Sequence, residues 1–127
     1  MKISCGVDII EIERIKESIQ RSGEKFLHTI FTEKEIEHCE GKKNVKYQHY
    51  AARFAAKEAA FKAISISLED KFSVSWLNAQ ITNQANGKPE IQFIGVTFPQ
   101  IKSMDLSISH CKQYAIANVT ILYEETI

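Results

Sequence analysis

Seven alanines, Ala51, Ala52, Ala55, Ala56, Ala59, Ala60 and Ala63, recur at helical spacing within a stretch from about Gln48 to Ile66 that contains neither Gly nor Pro. Alanine is the strongest helix former, and intervals of three and four residues stack side chains on one helix face. A face made of methyl groups suits close approach by other backbone. The stretch is therefore read as the longest helix of the chain, packed tightly on the remaining elements.

Around it the apolar period changes twice. Ile3, Cys5, Val7 and Ile9 alternate with Ser4, Gly6 and Asp8, the pattern of a half-buried strand. From Ile12 the spacing becomes helical through Ile15 and Ile19, with Arg14, Ser18, Arg21 and Lys25 gathering on the opposite side, and Ser22-Gly23 is the expected stop. A second helix is expected from Thr32, where Thr32 and Glu35 have capping-box spacing, to Gly41; its apolar side is Ile36 and Cys39. Residues 42–46 read as a loop.

Beyond residue 70 the pattern is β. Phe72, Val74 and Trp76 alternate, then Leu77, Ala79 and Ile81 continue out of phase, which predicts a bulge near Trp76. Asn86-Gly87 predicts a hairpin with a type I′ turn, returning through Ile91 and Phe93. Leu106, Ile108 and His110 form one later strand, and Ala115, Ala117, Val119 and Ile121 the inner face of the last. The order β-α-α-α-β-β-β-β predicts an α+β fold with a mostly antiparallel sheet. No repeat or linker divides it, so residues 1–127 are read as a single domain.

The 16 basic residues balance 16 acidic ones, which counts against nucleic acid as a partner, since that role needs a net basic surface to displace counterions. No apolar run approaches the roughly 20 residues that span a bilayer, and no apolar leader follows Met1-Lys2. Cys5, Cys39 and Cys111 form no CxxC pair, so reduced thiols in a cytoplasmic protein are expected. Two scattered pairs, His38-Cys39 and His110-Cys111, lack the close ligand spacing of a zinc site.

Four places carry candidate chemistry. Asp8 is a carboxylate flanked by Val7, Ile9 and Ile10, a setting that needs a compensating cation or donor. Glu58 and Lys62 are four apart on the Ala-rich helix, where a carboxylate and an ammonium could serve a metal and a phosphate. Ser107-Ile108-Ser109-His110 ends a strand, and Asn86-Gly87-Lys88-Pro89 forms a turn.

Taken in order, Gly6–Ile15, Phe31-Thr32-Glu33-Lys34-Glu35, Arg53–Ala59 with Lys62, Asn86–Pro89 and Ile108-Ser109-His110 resemble the motifs of the holo-acyl-carrier-protein synthases, the small bacterial 4′-phosphopantetheinyl transferases, over essentially the whole chain. The resemblance implies Mg²⁺-dependent transfer of 4′-phosphopantetheine from coenzyme A to a serine of apo acyl carrier protein, with release of adenosine 3′,5′-bisphosphate, in fatty acid biosynthesis. It implies Asp8 and Glu58 as metal ligands and Lys62 as the group neutralising phosphate charge. Either Glu58 or a metal-held water would take the serine proton. Lys88 and His110 become nucleotide contacts, and the stripe Arg14, Arg21 and Lys25 the surface that docks the acidic carrier. Family members are typically homotrimers with sites between subunits, so Asp8 and Glu58 are expected on different chains or at a shared edge.

Two departures stand out: Ala63-Ile64-Ser65-Ile66-Ser67 lacks the family's glycines, and Cys5 stands where the family usually has a small apolar residue or glycine. Two other readings compete. A non-catalytic carrier-binding module would have no reason to keep Asp8, Glu58 and Lys62. A metal-dependent nuclease using Asp8 with Glu40-Gly41-Lys42 would need that second motif on a strand, whereas it ends a helix.

Overall fold

Strand β1 (Lys2–Glu11) runs straight into helix α1 (Ile12–Ser22). Helices α2 (Glu24–Ile30) and α3 (Glu33–Glu40), a 3₁₀ turn (Lys43–Val45) and the long α4 (Lys46–Ile64) follow. After a 3₁₀ turn at Trp76–Asn78 come β2 (Ala79–Asn83), β3 (Pro89–Phe93), β4 (Ile101–His110) and β5 (Tyr114–Tyr123). The computed structural model describes residues 1–65 and 74–124; Ile66, Ser67 and Phe72, named above, lie outside them. Every strand pairing is antiparallel, in two sheets: β1-β5-β4 and the β2-β3 hairpin.

Helix α4 is the centre of the molecule. Ala55, Ala56, Ala59, Ala60 and Ala63 are fully buried against Val119 and Ile121 of β5. Its first half, with Tyr50, Ala51 and Ala52, packs with Ile12, Ile15 and Ile19 of α1 and Leu27 and Ile30 of α2. The contact with β1 is closer still. A Cβ on Gly6 would lie 1.9 Å from the Ala59 carbonyl oxygen and 2.8 Å from the Ala63 amide nitrogen. Ser4 Oγ and Tyr123 Oη donate to the Ala63 carbonyl at 2.7 and 3.2 Å. Strand β1 is half-buried as expected, but the face turned to the helix is Ser4, Gly6, Asp8 and Ile10. Its apolar face points outward, with Ile3, Val7 and Ile9 52–66% exposed. Larger side chains on the inner face would force strand and helix apart.

One polar cluster ties the helices to the hairpin. Thr32 and Glu35 form the expected capping box. The buried Glu35 carboxylate also pairs with Lys57 Nζ at 2.6 Å and accepts from the Ile81 amide at 2.8 Å. Lys57 Nζ donates further to the Ile30 and Trp76 carbonyls at 2.7 and 3.1 Å. A buried ion pair tolerates the loss of water only with such saturation.

Several expectations need correction. Gly23 (φ 53°) ends α1, but α2 begins one residue later, so Lys25 sits on α2 and not on the first helix. Near Trp76 the chain makes a 3₁₀ turn with its own Ser75–Asn78 capping box instead of a bulged strand; the register irregularity falls in β4, between Ile101 and Ser103. The hairpin turn is not type I′. Gln84 accepts from the Gly87 amide at 2.8 Å, and in the turn Gly87 alone has positive φ (88°), the form of a type I turn followed by a left-handed glycine. The long helix starts at Lys46, two residues early.

Gly6→Ala is expected to destabilise the fold by at least about 2 kcal/mol, the upper part of the overpacking range, because backbone cannot yield as a side chain does. Urea denaturation measures it, and wild-type stability would show that β1 and α4 can separate freely.

Candidate active site

The close packing of β1 on α4 brings Asp8 beside Glu58 and Lys62. Asp8 is on the inner face of β1, two residues beyond Gly6 and paired in register with Ala117 of β5. Lys62 Nζ donates to the Val7 carbonyl at 3.0 Å and to Asp8 Oδ1 at 3.3 Å. The ammonium is half-exposed and has a third proton to spare, so it can turn to another anion. Glu58 precedes it by one turn and is half-buried. Phe54 and Phe61 flank Glu58 at i−4 and i+3; Trp76 stacks on Phe54 with centroids 5.0 Å apart and meets Phe61 edge-on at 5.4 Å. Burial in this setting raises the Glu58 carboxyl above its ordinary range, the Asp8 charge raises it further, and Lys62 pulls it down. Within one copy of the chain, Asp8 is already close enough for its charge to act on Glu58.

Two mutually repelling carboxylates with one mobile cation to share are a donor set suited to a further cation. Among the described residues no three His, Cys, Asp or Glu side chains are placed to hold a metal ion between them. The pair fits Mg²⁺, which takes one or two carboxylates and fills its shell with water and substrate phosphate oxygens, and not a metal that wants an all-protein cage.

His110 lies elsewhere, on β4, the opposite edge of the sheet from β1. It lines a cavity of about 440 Å³ with His38, Lys42, His49, Arg53, Asn83, Gly87 and Pro89 among others. The Arg53 side chain is buried and donates to Asn83 Oδ1 at 2.7 Å, and its Nε has no partner among the described residues. Burial chiefly, with Arg53 and Lys42, holds the His38 imidazole down to about 4. Lys88 is not brought together with His110: the turn offers Gly87 and Pro89 to this cavity and sends Lys88 to Asp105 (2.8 Å) on the other side.

Arg14, Arg21 and Lys25 are exposed, and none forms an ion pair with a described residue. In the Glu40-Gly41-Lys42 segment, Glu40 is engaged by Tyr50 Oη (2.6 Å) and Lys46 Nζ (3.3 Å) instead of meeting Asp8. Sequence reasoning missed Lys42, His49 and Arg53 as cavity residues. The one available signal was His49 and Arg53 at i, i+4 on a helix otherwise lined with alanine.

A family model described as the 4′-phosphopantetheinyl transferase superfamily matches residues 4–119. The chain is 40% identical over 126 residues to a holo-[acyl-carrier-protein] synthase of Ruminiclostridium cellulolyticum, covering 95% of this chain and 92% of that one. Among solved structures, an ACPS–CoA complex of Chronobacterium ammoniagenes superposes with TM-score 0.84 at 25% identity, covering 98% and 100% of the two chains. The Helicobacter pylori holo-[acyl-carrier-protein] synthase in complex with coenzyme A gives TM-score 0.80 at 31% identity, over 93% and 99%.

The signs at Glu58 are testable by carboxyl-carbon NMR titration. Lys62→Met removes the lowering contribution and is expected to move the Glu58 midpoint up; Asp8→Asn removes a raising one and moves it down. A Glu58 midpoint unmoved by both would mean that the three groups do not share a site.

Proposed function

The chain belongs to the 4′-phosphopantetheinyl transferase superfamily, and on that premise we propose that it transfers the 4′-phosphopantetheine arm of coenzyme A to a serine hydroxyl of apo acyl carrier protein. The observation that carries this reading is the Asp8–Glu58–Lys62 set, with its raised Glu58 carboxyl. Relatives named holo-[acyl-carrier-protein] synthase support the reaction class, and relatives solved with coenzyme A support the donor.

The serine Oγ attacks the phosphorus that carries the pantetheine arm. The bond from that phosphorus to the bridging pyrophosphate oxygen breaks, and its electron pair leaves on adenosine 3′,5′-bisphosphate. The serine proton passes to Glu58 acting as general base or to a water held beside it. Lys62 leaves Asp8 to neutralise charge growing on the leaving phosphate. Asp8 and Glu58 are the residues that would hold Mg²⁺, which when bound offsets the pyrophosphate charge. Arg53, Lys42 and His110 hold the nucleotide end, and Lys88 reaches it only by releasing Asp105. Arg14 and Arg21 on α1 with Lys25 on α2 receive the acidic carrier. Fatty acid biosynthesis is the process served, and the cytoplasm its place; no helix of the described residues is long and apolar enough to cross a membrane.

Two facts favour a homotrimer with shared sites. Asp8 and His110 lie on opposite edge strands of one sheet, and Glu58 is nine residues past His49, about half a turn round α4. One coenzyme A therefore reaches both stations most simply across two copies. The outer sheet face also exposes Ile3, Val7, Ile9, Tyr114 and Ile116, an apolar strip suited to burial by another copy.

Mass spectrometry of apo acyl carrier protein incubated with enzyme, coenzyme A and Mg²⁺ is expected to show the gain of one phosphopantetheine arm. Glu58→Ala is expected to lower kcat at least about 100-fold. No mass gain with any divalent metal would sink the reading, and full activity of Glu58→Ala would remove Glu58 from it. If sites are shared, mixing refolded Glu58→Gln and His110→Ala chains restores activity that neither variant has alone; persistent inactivity argues for a site within one copy.

A further inference from the structure

Five basic or protonatable side chains, His38, Lys42, His49, Arg53 and His110, line the cavity of about 440 Å³, and among the described residues no carboxylate lines it. The rings of His38, His49 and His110 follow one another edge to face, with centroids 5.7 and 6.1 Å apart. The nearby acids are engaged elsewhere: Glu35 with Lys57 and Ile81, Glu40 with Tyr50 and Lys46. The buried Arg53 guanidinium has no partner for its Nε among the described residues. The wall therefore gathers basic groups that no carboxylate of the described residues pairs with directly.

We propose that His49, at the centre of the histidine series, takes up a proton when a phosphate group enters this cavity, so that ligand binding by this chain is coupled to protonation. This rests on the reading that the cavity holds the nucleotide end of coenzyme A. The groups facing His49 are His38 on α3, Lys42 just before the 3₁₀ turn, Arg53 on α4 and His110 on β4; the hairpin supplies only the uncharged Asn83, Gly87 and Pro89. Cys39, beside Arg53, stays a neutral thiol, since burial pushes it up to about 12.

In the free protein burial disfavours the His49 imidazolium, and Lys42, His110 and Arg53 disfavour it further, so the ring is neutral at physiological pH. A phosphate reverses the local sign. It sits among the cations that opposed the charged ring, and a solvent proton then adds to an imidazole nitrogen. The protonation midpoint is thus higher in the bound state than in the free state. Affinity strengthens as pH falls through the bound-state midpoint and levels off below the free-state one. A metal does not fit here, because the rings do not converge on one point and two fixed cations stand beside them.

Calorimetry of coenzyme A binding at pH 6.5, in two buffers of different ionisation enthalpy, counts the protons. The wild-type protein is expected to take up on the order of half a proton, given histidine's midpoint near that pH, with affinity several-fold tighter at pH 6 than at pH 8. His49→Gln is expected to lose at least half of that uptake and to flatten the pH dependence. His49→Phe, which keeps a ring against His38 and His110, is expected to do the same, so lost packing is not the cause. The ligand's own phosphomonoester titrates near pH 6, but in all three proteins alike. If coenzyme A binds all three with the same proton count, the coupling is wrong. If it binds none of them at any pH, the reading of the cavity as a nucleotide site falls, and this proposal with it.

Discussion

The contact between Gly6 and the Ala59–Ala63 turn of α4 governs the rest of the structure. Backbone lies on backbone there, with no room for a Cβ. That distance fixes how deep α4 sits against β1, and Asp8, two residues further along the same face, inherits its position from it. The alanine band on the helix and the glycine on the strand are two halves of one requirement. Lys62 can then reach the Val7 carbonyl and the Asp8 carboxylate together, and Glu58 can feel the charge of Asp8. A strand held off by larger side chains would leave the three groups too far apart to influence one another.

The same packing explains the outward turn of Ile3, Val7 and Ile9. With Ser4 and Gly6 on the inner face of β1 against the helix, Ile3, Val7 and Ile9 take the outer face, while Ile10 joins the core at the strand's far end. The sheet has three strands, and its two edges carry different chemistry: Asp8 on β1, His110 on β4. Helix α4 serves both, with Glu58 and Lys62 toward one edge and His49 and Arg53 toward the other. The Glu35–Lys57 pair secures the hairpin to this frame, because it joins the start of α3, the middle of α4 and the Ile81 amide of β2. The cationic cavity depends on that anchor, since Asn83, Gly87 and Pro89 come from the hairpin.

Much of this was legible in order. The alanine spacing, the Thr32–Glu35 capping box and the alternation of Ala115, Ala117, Val119 and Ile121 each report a local rule of backbone geometry, and each was found where expected. Asp8, Glu58 and Lys62 could be singled out because their residue types and settings are chemically conspicuous. Failures came where two local signals competed. Gly23 ended α1 as expected, yet nothing local said that a new helix would begin at Glu24. Asn86-Gly87 suited a two-residue turn, but the hydrogen bonds of Gln84 with Gly87 and Lys88 closed a longer loop. At Trp76 an alternating pattern concealed a turn whose aromatic ring packs on α4.

By itself the sequence determined the α+β class and most of the elements in their order, the small-residue face of the long helix and Asp8, Glu58 and Lys62 as candidates for the chemistry, but not the separate helix α2 or the turn at Trp76. These follow from interactions between residues a few positions apart. Only the tertiary structure decided which face of β1 meets the helix, that Asp8 comes close to Glu58 within one copy, and that Lys42, His49, Arg53 and His110 share a cavity while Lys88 turns away. Those outcomes join residues many positions apart, and they depend on steric fit at Gly6 and on the pairing of Glu35 with Lys57, which no local pattern encodes.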